Sequence, residues 1–406
     1  MTEYLNQLIH SPSSFLRETL ESRMELFGVR NIVRMELFLW DLEIFLQLES
    51  ILADRIVLKG GAAVQFYIPI EYQRTSVDID TLFYGTKEEI DTVIREIEEK
   101  LGSTDNLFKF VLHTPKSPKT KLPLYTYFLD VPSVCTGNEL RSFANRKQQI
   151  KVEFITSSTP LPVNRIMGDK IFAFESDKKY NVLPINNLFA DKLTTLGPNT
   201  IGIQDNRMDE QIKQLYDIHS LLIFNIGSLN FEAIRGAYRT RSIEEASNRS
   251  IPYNPDFILE DVYNQLNKLR TLDSGTELSN VTWKYISDFL SLYAGRNANR
   301  TPAAWATVGE QLHFLFSLLF DSSGSKREMV RALELDYLMQ FGHLQGADKG
   351  AQLRLFKEKL IAVYGHLSEI PPKILKGKNI NRIFWSIVRP ENLDDLESFV
   401  KSNISV

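Results

Sequence analysis

A single cysteine, Cys135, stands in 406 residues. That excludes an intrachain disulfide and a zinc site built from cysteines, and it makes a reducing compartment the expected setting. Long hydrophobic runs are missing too. The most apolar stretch, Leu312 to Phe320, has 9 residues, against the ~20 that a membrane-spanning helix needs, so a buried helix is expected there. The start, MTEYLNQLIH, lacks a basic segment followed by an apolar one, and no signal peptide is expected. No charge of one sign dominates: the net charge is -4, so nucleic acid could be held only through local basic patches. The 6 histidines are scattered without metal-ligand spacing, and His219 reads as a packing residue. No internal repeat or low-complexity segment is found.

What is present is an ordinary globular balance, 43% hydrophobic and 24% charged, with length enough for two domains. Residues 12 to 53 read as helical, with Ser13 or Ser14 as N-cap and apolar residues at helical spacing. A short strand is expected at 55–59, a helix over AAVQFYI (62–68) after the glycine pair and ended by Pro69, and an alternating strand at 74–84. An amphipathic helix follows at 88–101, then β-like runs at 107–113, 122–131 and 149–156. From about 186 the pattern is helical, with candidates at 187–196, 207–225, 229–236, 256–271, 278–294, 301–320, 326–342, 348–366 and 391–403. The two prolines and two asparagines of NRSIPYNPD mark a boundary near 250. The fold class is α+β, a mixed sheet with helices on one side followed by a mostly helical region.

The chemistry lies in LKGGAAVQFYIPIEYQRTSVDID, Leu58 to Asp80. On a strand, side chains at i and i+2 share a face, so Arg74, Ser76, Asp78 and Asp80 are expected to point one way and Thr75, Val77, Ile79 and Thr81 the other. Asp is poor in strands, and two on one face call for a reason. A divalent metal supplies one, since Mg²⁺ takes carboxylate oxygens at ~2.0–2.1 Å and leaves positions for substrate phosphates. A glycine pair opening a helix offers backbone N–H groups to an anion. Gly60 and Gly61 would then cradle a triphosphate, Asp78 and Asp80 would hold metal on it, and Ser76 or Arg74 could contact a phosphate oxygen. Singly, a Gly-Gly turn or an Asp-x-Asp is commonplace; the ordered combination is specific.

K-G-G followed by R-x-S-x-D-I-D resembles the nucleotidyltransferase superfamily with a polymerase-β-like fold, and within it the AbiEii/AbiGii group of abortive-infection and toxin–antitoxin nucleotidyltransferases. FADKLTTL (Phe189 to Leu196) resembles the group's Asp-Lys-Leu helix, and QIKQLYDIHSLL (Gln211 to Leu222) its Asp-Leu-Tyr-Asp-Leu helix. The group often has Asp where Gln214 stands, so only Asp217 is carried over. The resemblance covers roughly residues 50 to 225. It implies a nucleotide site at Lys59, Gly60, Gly61, Arg74, Ser76 and Lys192, and a catalytic set of Asp78, Asp80, Lys192, Asp217 and Glu153. Glu153 in IKVEFI is the candidate third metal-holding acid beside Asp78 and Asp80, with Asp130 as runner-up. Lys192 would hold phosphate; Asp217 would position Lys192 or the attacking hydroxyl, and Glu153 or Asp217 would help deprotonate that hydroxyl.

The implied division is a nucleotidyltransferase domain at 1–185, a helical part completing the site at 186–250, and a helical C-terminal domain at 251–406. The implied reaction is Mg²⁺- or Mn²⁺-dependent transfer of NMP from an NTP to an acceptor hydroxyl such as a tRNA 3′ end. It would be that of a bacterial cytoplasmic toxin with a cognate, DNA-binding antitoxin and no membrane partner. The alternatives are a small-molecule or protein side-chain acceptor, and a non-catalytic nucleotide-binding interaction protein. Basic clusters for an RNA backbone are Lys373, Lys376, Lys378, Arg382 and Arg389 beside Phe384 and Trp385; Arg141, Arg146, Lys147 and Lys151; and Arg235, Arg239 and Arg241. The first of these reads equally as a basic turn leading into a core helix.

Overall fold

Helical periodicity breaks at Gly28 and resumes at Asn31, and the fold follows that break. The computed structural model describes residues 3–102, 106–114, 123–140, 147–321, 324–340 and 349–404. Helix α1 (Arg17–Phe27) ends on Gly28 in the left-handed region, φ 70°. Helix α2 (Ile32–Leu52) starts where the Asn31 side chain accepts from the Arg34 amide. The helical reading of 12–53 resolves into two helices, and the expected N-cap is corrected: Ser13 and Ser14 lie in a short 3-10 turn and Leu16 is the N-cap of α1. Helix α2 is buried nearly all round, which marks it as a core helix.

Strand β1 (Ile56–Lys59) runs into helix α3 (Gly60–Gln65), and strand β2 (Asp78–Tyr84) returns antiparallel to β1. Helix α4 (Lys87–Leu101) opens with a Thr86/Glu89 capping box. Then come β3 (Phe110–Leu112), β4 (Leu124–Pro132), the single turn α5 (Gly137–Leu140), β5 (Lys147–Ser157), β6 (Asn164–Met167) and β7 (Lys179–Val182). They form one mixed sheet in the order β3-β4-β5-β2-β1-β7-β6. The pairs β2–β5 and β1–β7 are parallel and the rest antiparallel. Strands β6 and β7 are too short for their alternation to stand out in the sequence. The strand expected from 74 begins at Asp78; Arg74 makes only an isolated bridge, to Ala294.

The helical part comprises α6 (Ile185–Leu193), α7 (Met208–Asn225), α8 (Phe231–Asn248), α9 (Pro255–Arg270), α10 (Glu277–Leu292), α11 (Pro302–Phe316), α12 (Lys326–Gln340), α13 (Lys349–Tyr364), α14 (Pro372–Leu375), α15 (Ile380–Ile387) and α16 (Leu393–Asn403). Helix α8 runs 12 residues beyond the expected end at 236. The apolar stretch after Leu312 is buried, as expected. Among the described residues no helix is long and apolar enough to cross a membrane. The Tyr293–Arg296 loop docks back on the sheet half. Tyr293 O accepts from the Thr75 amide at 3.0 Å, and the Arg296 amide donates to Phe27 O at 3.0 Å.

The basic stretch at 371–390 turns inward. Arg382, Phe384 and Trp385 are buried, and Lys378 pairs with Asp273 at 2.6 Å. Glu310 accepts from Arg270 Nε at 2.6 Å and from Arg382 Nη1 at 3.0 Å. Of the two readings of this stretch, the basic turn leading into a core helix is the one seen, with Lys373 and Lys376 exposed on the turn and Arg382 buried in ion pairs. Taking away one partner of such a network leaves buried charge unpaired, so Glu310→Ala is expected to lower stability by about 3–5 kcal/mol, read as a lower midpoint in urea unfolding followed by circular dichroism.

Candidate active site

The site forms where β1, α3, β2 and β5 meet the last turn of α6 and the middle of α7. Gly60 adopts φ +69°, and a Cβ built on it would lie 2.0 Å from Asp80 Oδ2. A Cβ on Gly61 would lie 2.6 Å from Arg74 Nη2 and 3.1 Å from Ser76 Oγ. The pair is therefore required by close approach, with positive φ at the first position: Asp80 rests against Gly60, and Arg74 and Ser76 against Gly61. Gln65 locks the turn, donating to Gly61 O at 2.8 Å and accepting from the Arg74 amide at 2.9 Å.

The acids stand in register. In the parallel β2–β5 pair, Asp80 faces Glu153 and Asp78 faces Lys151. Thr126 on β4 faces Glu153 and donates to its Oε1 at 3.1 Å. Asp130, the runner-up third acid, lies opposite Gln149 and accepts from its side chain at 3.1 Å, four positions along β4 from Thr126. Partial burial and the neighbouring Glu153 carboxylate push Asp80 up to about 6. Burial also raises Asp78, against the lowering effect of Lys151. Beneath the sheet, Asp41 of α2 is fully buried, and neither carboxylate oxygen meets a hydrogen-bond partner among the described residues. Burial, with Asp78 and Asp80 nearby, drives its pKa well above the carboxylate range.

A second set of carboxylates is closed. Asp217 receives Arg74 bidentately, Nε to Oδ1 at 2.8 Å and Nη2 to Oδ2 at 2.7 Å, and pairs with Lys192 Nζ at 2.8 Å. Lys192 also donates to Gln214 Oε1 at 2.7 Å. Arg74, Lys192 and Asp217 are all buried. Burial alone would raise Asp217, but Arg74 and Lys192 outweigh it and hold the group below the ordinary carboxylate range. Lys59 pairs with Asp191 at 3.0 Å, and the charge of Arg241 on α8 also acts on both. Burial of Lys59 is outweighed by Asp191 and Asp80, which keep its pKa above the ordinary lysine value.

The structure thus brings together Lys59, Gly60, Gly61, Arg74, Ser76, Asp78, Asp80, Glu153, Lys192 and Asp217. One expectation changes: Arg74 does not present a free guanidinium to a phosphate but is spent on Asp217 and on Thr75 O. Sequence reasoning missed Gln65, Asp191 and Gln214, and it placed Lys151 only in a basic cluster. A period-two reading from Glu153 back to Lys151 would have put both on one face. Of that cluster, Arg141 and Arg146 lie outside the described residues. His219 is a packing residue, as expected, bonded to Gln311 at 2.7 Å and lowered to about 4 by burial.

Two measurements check this geometry. Gly60→Ala forces Asp80 away, so transfer activity is expected to fall about 100-fold or more and stability by about 1–3 kcal/mol, read by labelled-nucleotide transfer and thermal melting. Asp41 has a folded-state pKa above its unfolded value, so its protonated form favours folding. That contribution is present at pH below about 4 and is lost as the pH rises towards the folded pKa. Asp41→Asn is expected to stabilise the protein by about 1–3 kcal/mol at neutral pH and to flatten the decline of melting temperature above pH 4.

A family model described as nucleotidyl transferase AbiEii toxin of a type IV toxin–antitoxin system matches residues 44–277. No curated protein matches the chain. Among solved structures, MenT4, a nucleotidyltransferase toxin from Mycobacterium tuberculosis, aligns with a TM-score of 0.39 and 14% sequence identity over 75% of this chain and 99% of its own. The family match spans more than half of the 406 residues and contains Lys59, Gly60, Gly61, Arg74, Ser76, Asp78, Asp80, Glu153, Lys192 and Asp217; the chain belongs to the AbiEii family of nucleotidyltransferase toxins.

Proposed function

We propose that the chain transfers an NMP unit from an NTP to an acceptor hydroxyl, forming the bond to the α-phosphorus as the α–β anhydride bond breaks and pyrophosphate leaves, with Asp78, Asp80 and Glu153 as the metal-holding acids. The observation that carries this reading is the register of β2 and β5, which sets Asp80 beside Glu153 with Asp78 on the same face. The donor set fits Mg²⁺ or Mn²⁺ by its chemistry: hard carboxylate oxygens, partly open, with Asp80 raised by burial and by the neighbouring Glu153. Among the described residues no three such side chains already converge tightly enough to hold an ion outright; the Lys151 ammonium lies between two of them. When bound there, a divalent ion supplies neutralisation of phosphate charge and orientation of the triphosphate.

The chain's own groups do the rest. Asp217 positions Lys192, two of whose three donors are committed to Asp217 and Gln214; the third is the one offered to a phosphate oxygen. Asp217, held ionised between two cations, is a poor proton acceptor, which leaves Glu153 as the group to take the hydroxyl proton. Lys59, anchored by Asp191, adds positive charge at the glycine turn. The acceptor is an RNA 3′ end, as in a tRNA. On α8, Arg241 acts on the Lys59–Asp191 pair, and Arg235, Arg239 and Arg241 would add positive charge for the RNA backbone. Residues 1–185 carry the sheet half of the site, 186–250 complete it, and 251–406 brace it. The setting is cytoplasmic, with a cognate antitoxin opposing the activity.

Incubating the full chain with Mg²⁺, labelled NTPs and total RNA, or a protein and small-molecule extract, tests this. Label is expected in tRNA, falling by about 10³-fold or more for Asp78→Ala. Label that follows protein or a small molecule would replace the RNA acceptor, and transfer unchanged in Asp78→Ala would overturn the site.

A further inference from the structure

The acidic face of β2 and β5 carries a cation of its own. Lys151 stands across from Asp78 and two residues before Glu153, so these groups and Asp80 make a four-cornered array on one face. One cross-strand pair has opposite charges and the adjacent pair has like charges. Lys151 Nζ lies 3.5 Å from Asp78 Oδ1 and 3.5 Å from Glu153 Oε1. Both distances exceed the ~2.7–2.9 Å of a charge-assisted hydrogen bond. The ammonium therefore balances two carboxylates without being fastened to either.

Its neighbours behave differently. Lys59, Arg74 and Lys192 make contacts of 2.7–3.0 Å. The Lys151 side chain keeps 29% of its surface open, more than the 15%, 3% and 4% of those three. Lys151 is the cation of the site with room to move. Three carboxylates and one ammonium leave two negative charges on the array, which one divalent ion cancels; without the lysine there would be three.

We propose that Lys151 is a built-in counter-ion of the acidic array, holding the place of a divalent cation in the nucleotide-free protein and withdrawing from Asp78 and Glu153 when a metal–nucleotide complex enters. The inference rests on the reading of Asp78 and Asp80 as metal-holding. Its consequence is that free metal binds weakly. Loading then depends on the nucleotide, whose phosphates complete the coordination that one or two carboxylates begin.

The test is Mn²⁺ binding to the nucleotide-free full chain, followed by the electron paramagnetic resonance of free Mn²⁺. K151Q is expected to bind Mn²⁺ more tightly than wild type, by on the order of tenfold for loss of one screened charge, while K151R stays like wild type and D78N binds more weakly. K151M, read by the Mn²⁺-induced rise in melting temperature, keeps the comparison available if K151Q folds poorly; a larger rise than in wild type is expected. Weakening by D78N together with K151Q and K151M unchanged from wild type would overturn the role of Lys151 alone. Wild-type binding that D78N leaves untouched would overturn the metal-holding assignment, and the inference with it.

Discussion

Everything at the site hangs on Asp217, a carboxylate with no exposed surface clasped by Arg74 on one side and Lys192 on the other. A buried carboxylate is tolerable only when it is paired and hydrogen-bonded. Its partners therefore cannot drift, and they come from different parts of the chain. Arg74 leads into β2, Lys192 ends α6, and Asp217 sits in the middle of α7. One ion triad thus fixes the acid-bearing strand against the two helices that complete the cleft. Gln65 and Gly61 extend the clamp into the turn after β1.

The carboxylates divide into two kinds by environment rather than by residue type. Asp191 and Asp217 are closed off by cations and held below their ordinary range. Asp78 and Asp80 keep some exposure and are pushed up, chiefly by burial, with Glu153 adding to the rise at Asp80 and Lys151 opposing it at both. The first kind organises the protein. The second is left in electrostatic deficit, a condition that a cationic ligand relieves.

How much of this was legible in the sequence follows from the range of each interaction. Strand, glycine pair, helix and paired acids are local patterns, and they placed Gly60, Asp78 and Asp80 directly. The Asp-Lys-Leu and Tyr-Asp words supplied Lys192 and Asp217. What stayed hidden depends on register or on distant partners. Lys151 belongs to the site because β5 pairs parallel to β2 at one offset, which composition does not reveal. Arg74 reads as a phosphate ligand until Asp217, 143 residues away, turns out to claim it. Arg382 and Trp385 fit a basic, aromatic surface and a core helix equally well in the sequence, and only the distant Glu310, which takes the arginine inside, decides between them. Gly28 was visible as a glycine, yet its left-handed geometry, not its composition, splits the first helix.

The Tyr293–Arg296 loop deserves a reading of its own. It reaches from the far end of α10 to stitch its backbone onto Thr75, one residue from the arginine that grips Asp217. It also caps Lys213 with the Tyr293 ring at 4.5 Å. The C-terminal helices hold none of these acids, yet their loop is bonded to the buried lead-in segment before β2. A chain cut after α9 would retain every carboxylate and lose the brace that aims them.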